Sequence, residues 1–585
     1  MRHPSIPSAQ LLIQYCKAVE ITQIVISPGS RNAPLIIGFT EDPYFDCYSI
    51  VDERCAAFFA MGMAQQLKQP VVVLCTSGSA LLNFYPAVAE AFYSNHPLIV
   101  ISADRPLYKI DIGDGQTIRQ DHVFERHIGY SANLRQDVTH ATKTIKRYDP
   151  AIITEGFSLQ EVQRRIMKFN RQEIKLALST ALNQCLPVHI NIPFEEPLYN
   201  SQDFCDIEAE AILAKDIKDD ALEDLTVFTN KWNTARRKMI LVGVLSPEEI
   251  ESNWLEVLAN DPSVLIFTET TSNLHNANII PSIDSIIAPI EKSARKDELF
   301  KALQPDILLT FGGLVVSKKI KAFLREYKPE MHWHVHENRA YDTFFGLSHH
   351  FKVSLNTFLQ GFVPGVKSVS SPYRDQWLST RDHYVQRRKE YLETIPLSDM
   401  WVFDKIVKSL PNKSMVQLAN SSTVRYAQLF DMDPGLKVFC NRGTSGIDGS
   451  TSTAAGASLH NETPTVLITG DLSFFYDSNG LWNEYLRPDF RIILINNGGG
   501  GIFRILPGKE DSENFKTFFE TSHMLNAKPI CDLFNIGYTL STSEDEVLKA
   551  LAHFYDTSDR PKLLEIKTPS DVNDQILRTY FDFIS

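Results

Sequence analysis

The sequence predicts an α/β protein built from three doubly wound, mainly parallel sheets in a row. Three observations carry this expectation. Short β-branched runs recur at helix-length separations, the pattern of strand–helix–strand units. The runs fall into three sets, parted by an acidic, apolar-poor stretch at 200–220 and by a Pro-, Gly- and Ser-containing stretch at 362–374. Finally, 585 residues exceed what one core organises.

Taken in order, the first set places strands at 23–27, 47–51, 71–75, 98–102 and 188–192. A charge-rich stretch at 139–173 reads as a helical insertion within it. The second set lies at 239–244, 264–268, 307–311 and 332–336, and the third at 415–418, 437–440, 465–469, 491–495 and 563–566. The expected domains are therefore 1–199, 200–365 and 366–585. No short repeat or low-complexity tract interrupts them.

Composition narrows the function classes. Hydrophobic content of 43% and charged content of 22% describe an ordinary globular protein. A net charge of -13 argues against general binding to nucleic acid or to anionic membranes, while leaving room for local basic pockets. No apolar run approaches membrane-spanning length. Residues 9–18 form an amphipathic segment, unlike a secretory signal. The eight cysteines are scattered without a Cys-x-x-Cys pair, as expected of free thiols in a reducing, cytoplasmic compartment.

The chemistry concentrates between Gly470-Asp471-Leu472 and Asn496-Asn497, the latter followed by the glycine run Gly498-Gly499-Gly500-Gly501. Each half closes an apolar run, and residues 477–486 between them read as a short helix. The carboxylate and the amide are thus expected together at the carboxyl ends of neighbouring parallel strands, where open α/β sheets bind ligands. One carboxylate, one amide oxygen and bare backbone make a hard-oxygen site, suited to Mg²⁺ shared with a phosphorylated ligand. A sheet with polar strand ends and a Gly-rich turn would also produce these letters. A second centre is Asp52-Glu53-Arg54, at a strand end before the apolar helix expected over 55–66. There Glu53 is either a helix-terminal carboxylate or a catalytic one.

The spacing resembles the diphosphate anchor of thiamine diphosphate (ThDP) enzymes, usually Gly-Asp-Gly then Asn-Asn; here Leu472 replaces the last glycine. The resemblance implies the ThDP-binding fold, with pyrimidine-binding, central and diphosphate-binding domains in that order. It implies that Asp471, Asn497 and the Gly499 carbonyl hold Mg²⁺, or Mn²⁺, bridging to the cofactor diphosphate. Gly470, Leu472, Ser473, Ile502 and Phe503 would flank the cofactor, and Ile447 would hold it bent. Glu53 would hydrogen-bond N1′ of the aminopyrimidine. In this class the two terminal domains meet across a subunit interface, so a homodimer or homotetramer follows.

Further strings narrow the resemblance. Ser27-Pro28-Gly29-Ser30-Arg31-Asn32, Thr76-Ser77-Gly78-Ser79-Ala80, Ser102-Ala103-Asp104-Arg105-Pro106, Asn441-Arg442-Gly443-Thr444-Ser445-Gly446-Ile447-Asp448-Gly449 and Gly470-Asp471-Leu472-Ser473 resemble the MenD family of menaquinone biosynthesis. The likeness spans essentially the whole chain. It implies decarboxylation of 2-oxoglutarate followed by 1,4-addition to isochorismate. Both substrates are dianions, which favours arginine with its bidentate fork. By this resemblance Ser30, Arg31, Arg105, Gln116, Ser421, Arg425 and Arg442 contact substrate, and Leu506 joins Ile502 and Phe503 on the isochorismate side. One departure stands out: the family commonly has Lys-Arg where this chain has Lys318-Lys319, so Lys319 would grip a carboxylate without the fork.

Two motifs read as decoys. Gly113-Asp114-Gly115 spells the anchor more literally but lacks a following β-rich run ending in Asn-Asn. His332, His334 and His336 alternate on one strand face and invite a zinc reading, yet only Glu337 is near as a further ligand. No Gly-x-Gly-x-x-Gly marks an FAD or NAD site in the central segment. The rival functions are another ThDP-dependent 2-oxoacid decarboxylase or carboligase, and a catalytically silent ThDP scaffold.

Overall fold

The computed structural model describes residues 2–153, 156–205, 207–210, 222–505 and 512–585. Its frame is three six-stranded sheets, each parallel throughout. The first contains β1 (Gln23–Ile26), β2 (Asp46–Ser49), β3 (Val71–Cys75), β4 (Leu98–Asp104), β5 (Tyr130–Asn133) and β6 (Val188–Pro193), ordered β2-β1-β3-β4-β6-β5. The second contains β7 (Lys238–Val242), β8 (Val264–Phe267), β9 (Ile279–Ile280), β10 (Ile307–Phe311), β11 (Met331–Val335) and β12 (Leu347–Phe351), ordered β9-β8-β7-β10-β11-β12. The third contains β13 (Met415–Leu418), β14 (Lys437–Cys440), β15 (Thr465–Gly470), β16 (Arg491–Asn496), β17 (Gly537–Ser541) and β18 (Lys562–Lys567), ordered β14-β13-β15-β16-β18-β17. The first and third sheets share one topology, and the middle one differs.

Central strands such as β3 and β10 are buried at every residue, because helices cover both faces of a parallel sheet. This makes them continuous apolar runs, readable from sequence. Within these three sheets, the four strands absent from the sequence reading, β5, β9, β12 and β17, all lie at edges. An edge strand has one neighbour and more exposed positions, so Tyr-Ser-Ala-Asn or Gly-Tyr-Thr-Leu-Ser suffices.

Two further expectations are corrected. Much of the stretch at 139–173 is no insertion: from Leu159 onward it is the first half of the 26-residue helix Leu159–Gln184. That helix is the crossover that parallel neighbours β5 and β6 require. Its outer face carries exposed Arg164, Arg165 and Lys168, while Val162, Ile166, Ile174 and Leu178 are buried. The helix expected over 477–486 instead starts at Asp471 and ends at Tyr476, followed by a 3₁₀ turn at Ser478–Leu481. The Asp471 carboxylate suits a helix start, where free N–H groups point outward.

By proximity the chain forms two compact units. One comprises Met1–Ile217, Asp448–Glu462 and Tyr476–Arg487, and the other Lys218–Ile447, Thr463–Phe475 and Pro488–Ser585. Within the first, helix Ser450–Ser458 crosses helix Glu53–Leu67 at glycines. A Cβ on Gly62 would stand 2.1 Å from the Thr453 carbonyl oxygen, and one on Gly456 2.0 Å from that of Phe59.

Candidate active site

In the first unit the family-matched residues gather at the carboxyl ends of β1 to β4. Arg31 follows β1; its guanidinium donates to the Phe194 carbonyl at 3.1 Å and to Glu196 Oε1 at 2.8 Å. Arg105 follows β4 and donates to Ser77 Oγ and to the Gln116 carbonyl, both at 2.8 Å. The Arg105 backbone N–H also donates to Asp104, whose carboxyl burial pushes up to about 6. The buried Nε of each arginine makes no hydrogen bond among the described residues. Ser30 and Gln116 are exposed on the same rim. Asp114 of the decoy motif lies in an exposed loop, its carboxylate 3.6 Å from Arg105 Nε.

Glu53 opens its helix, and the capping role falls to its neighbour. Asp52 is the N-cap, accepting from Cys55 N at 3.2 Å and from Asn479 Nδ2 at 2.9 Å. The Glu53 carboxylate is half-buried, with no hydrogen-bond partner among the described residues. The Cys75 thiol is pushed well up by burial and by the negative charge of Glu53, which places Glu53 near the end of β3.

In the second unit β15 and β16 pair in parallel and deliver Asp471 and Asn497 side by side. Asp471 Oδ1 accepts from Leu472 N at 2.7 Å, and Oδ2 accepts from Gly499 N at 2.9 Å. Gly499 has φ +148°, and a Cβ there would meet the Glu520 carbonyl oxygen at 2.6 Å, so glycine is required. Asn497 Nδ2 donates to Asp399 Oδ2 at 2.9 Å, leaving the amide oxygen without a hydrogen bond among the described residues. A carboxylate, a free amide oxygen and a glycine turn fit a hard divalent cation beside a diphosphate. Gly470 offers a bare approach, since a Cβ there meets nothing nearer than 3.9 Å.

Around this centre, Ser473 Oγ donates to the Ile447 carbonyl at 2.7 Å, fixing the loop on which the Ile447 side chain stands 37% exposed. Arg425 donates to the Ser421 carbonyl at 2.7 Å, and Ser421 itself adopts φ +69°. Arg442 donates to Asn420 Oδ1 at 2.6 Å, and its buried Nε lacks a partner among the described residues. Burial and then the nearby Arg442 charge hold the Arg425 guanidinium below its usual range, partly offset by Asp284. Lys319 is paired with Glu291 in the first turn of helix Lys318–Glu326. Ile502 and Phe503 lie partly buried in the 3₁₀ segment Gly501–Ile505, and Leu506 lies outside the described residues.

Sequence reasoning missed two groups at this centre. Asp399 is buried behind Asn497. His523 lies with Nε2 3.3 Å from Asp471 Oδ2; its Nδ1 accepts from Leu525 N, so the proton sits on the nitrogen facing Asp471. Neither carries a local signal, because each reaches the motif only through the fold. The histidines on and just after β11 are held by a hydroxyl and by stacking. His332 and His334 both meet the Thr310 hydroxyl, at 2.9 and 2.8 Å, and His334 stacks on His336. Among the described residues no group of three potential ligands is placed to hold a metal ion by acid, thiol and imidazole side chains alone.

Comparison with known proteins gives matches along the whole length. Residues 7–128 match the thiamine pyrophosphate enzyme, N-terminal TPP binding domain, and residues 420–566 match the corresponding C-terminal TPP binding domain. A 2-succinyl-5-enolpyruvyl-6-hydroxy-3-cyclohexene-1-carboxylate synthase of Christiangramia forsetii is 52% identical, over 100% of both chains. Proteins of the same name from Flavobacterium psychrophilum and Flavobacterium johnsoniae are 50% and 49% identical, each over 99% of both chains.

Proposed function

The chain belongs to the family of 2-succinyl-5-enolpyruvyl-6-hydroxy-3-cyclohexene-1-carboxylate synthases, thiamine diphosphate enzymes, and from that premise we propose how its residues serve the reaction. The reaction decarboxylates 2-oxoglutarate and adds the resulting four-carbon unit to isochorismate, releasing CO₂, in menaquinone biosynthesis. The observation that carries this reading is the pairing of Asp471 and Asn497 at the ends of β15 and β16, joined by the Gly499 turn.

When bound, thiamine diphosphate supplies the nucleophilic carbon and the electron sink for decarboxylation. Asp471, Asn497 and the Gly499 carbonyl would hold Mg²⁺ or Mn²⁺ against its diphosphate, with Gly470, Leu472 and Ser473 alongside. Ile447 would press on the cofactor and keep it bent. Glu53, whose carboxylate makes no hydrogen bond among the described residues, would hold a proton at N1′ of the aminopyrimidine. Ser30, Arg31, Arg105, Gln116, Ser421, Arg425 and Arg442 would bind substrate carboxylates; the buried Nε atoms of Arg31 and Arg442, which make no hydrogen bond among the described residues, support this. Ile502, Phe503 and Leu506 would exclude water on the isochorismate side. Lys319 must leave Glu291 before it can serve a substrate.

The remaining assignments follow the same family logic. The domains would divide at 1–199, 200–365 and 366–585. Active sites would be completed across the interface of a homodimer or homotetramer. The protein would be cytoplasmic, in keeping with the absence, among the described residues, of a helix long and apolar enough to cross a membrane.

The test is an ultraviolet assay of isochorismate loss with purified protein, 2-oxoglutarate, ThDP and Mg²⁺, each omitted in turn. Loss only in the complete mixture is expected. Release of CO₂ without isochorismate consumption would point to a different ThDP decarboxylase.

A further inference from the structure

The two asparagines that close β16 are each held from behind by a buried carboxylate. Asn496 Nδ2 donates to Glu565 Oε1 at 2.6 Å and to the Leu525 carbonyl at 2.9 Å, while its oxygen accepts from Gly498 N. Every polar atom of that side chain is therefore used within the fold. Asn497 differs. Its Nδ2 donates to Asp399 Oδ2, and its Oδ1 accepts nothing among the described residues.

An asparagine amide can be turned over with almost no change of shape, exchanging an acceptor for two donors. At a cation site the two orientations are opposite in effect, since only the oxygen coordinates a hard metal. Some neighbour must choose between them. An ionised carboxylate accepts and never donates, so the amide nitrogen has to face it. Asp399 is that neighbour, and it is itself locked. It is 3% exposed at the first position of helix Asp399–Ser409, its Oδ1 accepts from Thr568 Oγ1 at 2.6 Å, and its backbone N–H donates to Asn573 Oδ1 at 2.8 Å. Burial pushes its carboxyl up to about 6, while the hydrogen bonds from Thr568 and Asn497 favour the ionised form.

We propose that Asp399 is a positioning residue for the divalent-cation site, its acceptor-only carboxylate fixing the Asn497 amide with the oxygen turned to the cation. This rests on the reading of Asn497 as a metal ligand. Loss of such an outer partner costs metal affinity roughly 10- to 100-fold in other sites. Thr568 serves the same carboxylate one step further out and makes no side-chain hydrogen bond to Asp471, Asn497 or Gly499 among the described residues.

The experiment titrates Mn²⁺ into EDTA-stripped full-length protein at saturating ThDP and measures free Mn²⁺ by its electron paramagnetic resonance signal. Melting temperature is recorded alongside. The Asn497→Ala variant tests the ligand reading: unchanged Mn²⁺ affinity there removes the premise. Given a weakened Asn497→Ala, the Asp399→Leu variant is expected to bind Mn²⁺ about 10- to 100-fold more weakly. Asp399→Asn, whose carboxamide oxygen still accepts from Asn497, is expected to regain most of that loss. Wild-type affinity in Asp399→Leu overturns the proposal. So does an Asp399→Asn variant as weak as Asp399→Leu with Thr568→Val equally weak, because the effect would then be anchoring of the helix.

Should Asp399→Leu fail to fold, the role-reversed pair decides. Asn497→Asp sets two carboxylates face to face and should bind Mn²⁺ poorly. Adding Asp399→Asn restores a donor–acceptor pair and should recover affinity about tenfold or more. No recovery overturns the proposal.

Discussion

Asp52 and Glu53 are adjacent carboxylates at one helix start, and the fold gives them different work. Asp52 is spent on capping, through Cys55 N and Asn479, whereas the Glu53 carboxylate makes no hydrogen bond among the described residues. Glu53→Gln should therefore leave stability and ThDP binding nearly unchanged and lower kcat by about 10²- to 10⁴-fold, the range for a positioned acid–base group. Wild-type turnover in that variant would sink the assigned role. At Gly499 the constraint is backbone: φ +148° and a Cβ 2.6 Å from the Glu520 carbonyl leave no room for a side chain. Gly499→Ala should weaken Mg²⁺–ThDP binding by about tenfold or more, an effect of roughly 1–3 kcal/mol from backbone strain. Circular dichroism of the bound cofactor measures it. Asp471 and Asn497 were legible from sequence because each ends an apolar run. Asp399 was not, since it stands 98 residues before the amide it holds.

At the scale of elements, every interior strand was legible, whereas of the edge strands only β2 and β14 were. A strand covered on both faces needs an unbroken apolar run, while β5, β12 and β17 pair on one side and accept polar residues. The crossing of helices Glu53–Leu67 and Ser450–Ser458 likewise depends on tight backbone approach. Gly456→Ala should destabilise the fold by about 1–3 kcal/mol, as overpacking does. Thermal or urea unfolding would show it, and an unchanged midpoint would mean the helices simply part. On β6, burial pushes the His189 imidazole down to about 3. A depressed imidazole is neutral in the folded chain but takes a proton in the unfolded chain below about pH 6.5, so its stabilising contribution falls as pH drops from about 6.5 to 3. His189→Gln should flatten that limb by about one proton in urea titrations run across the range. An unaltered slope would show that burial is relieved before unfolding.

For the whole molecule, a ligand bound only by the folded chain must stabilise it. ThDP and Mg²⁺ at about 100 times their dissociation constants should add about 2.7 kcal/mol, raising the melting temperature by a few degrees, and EDTA should reverse the rise. No shift would mean that the Asp471–Asn497 turn does not hold the cofactor.

What the sequence determined by itself is the three-sheet α/β frame and the placing of Glu53, and of Asp471 with Asn497, at strand ends. Both are local properties: strand burial writes itself as apolar runs, and ligands of a parallel sheet sit at strand ends. The tertiary structure alone decided how those residues are held. It set Glu196 against Arg31 across 165 positions, Glu291 against Lys319, and Asp399 behind Asn497. It also assigned helix Ser450–Ser458 to the unit that carries Glu53. These are contacts between distant stretches of chain, made only when the sheets and helices close on one another, and no local periodicity encodes them.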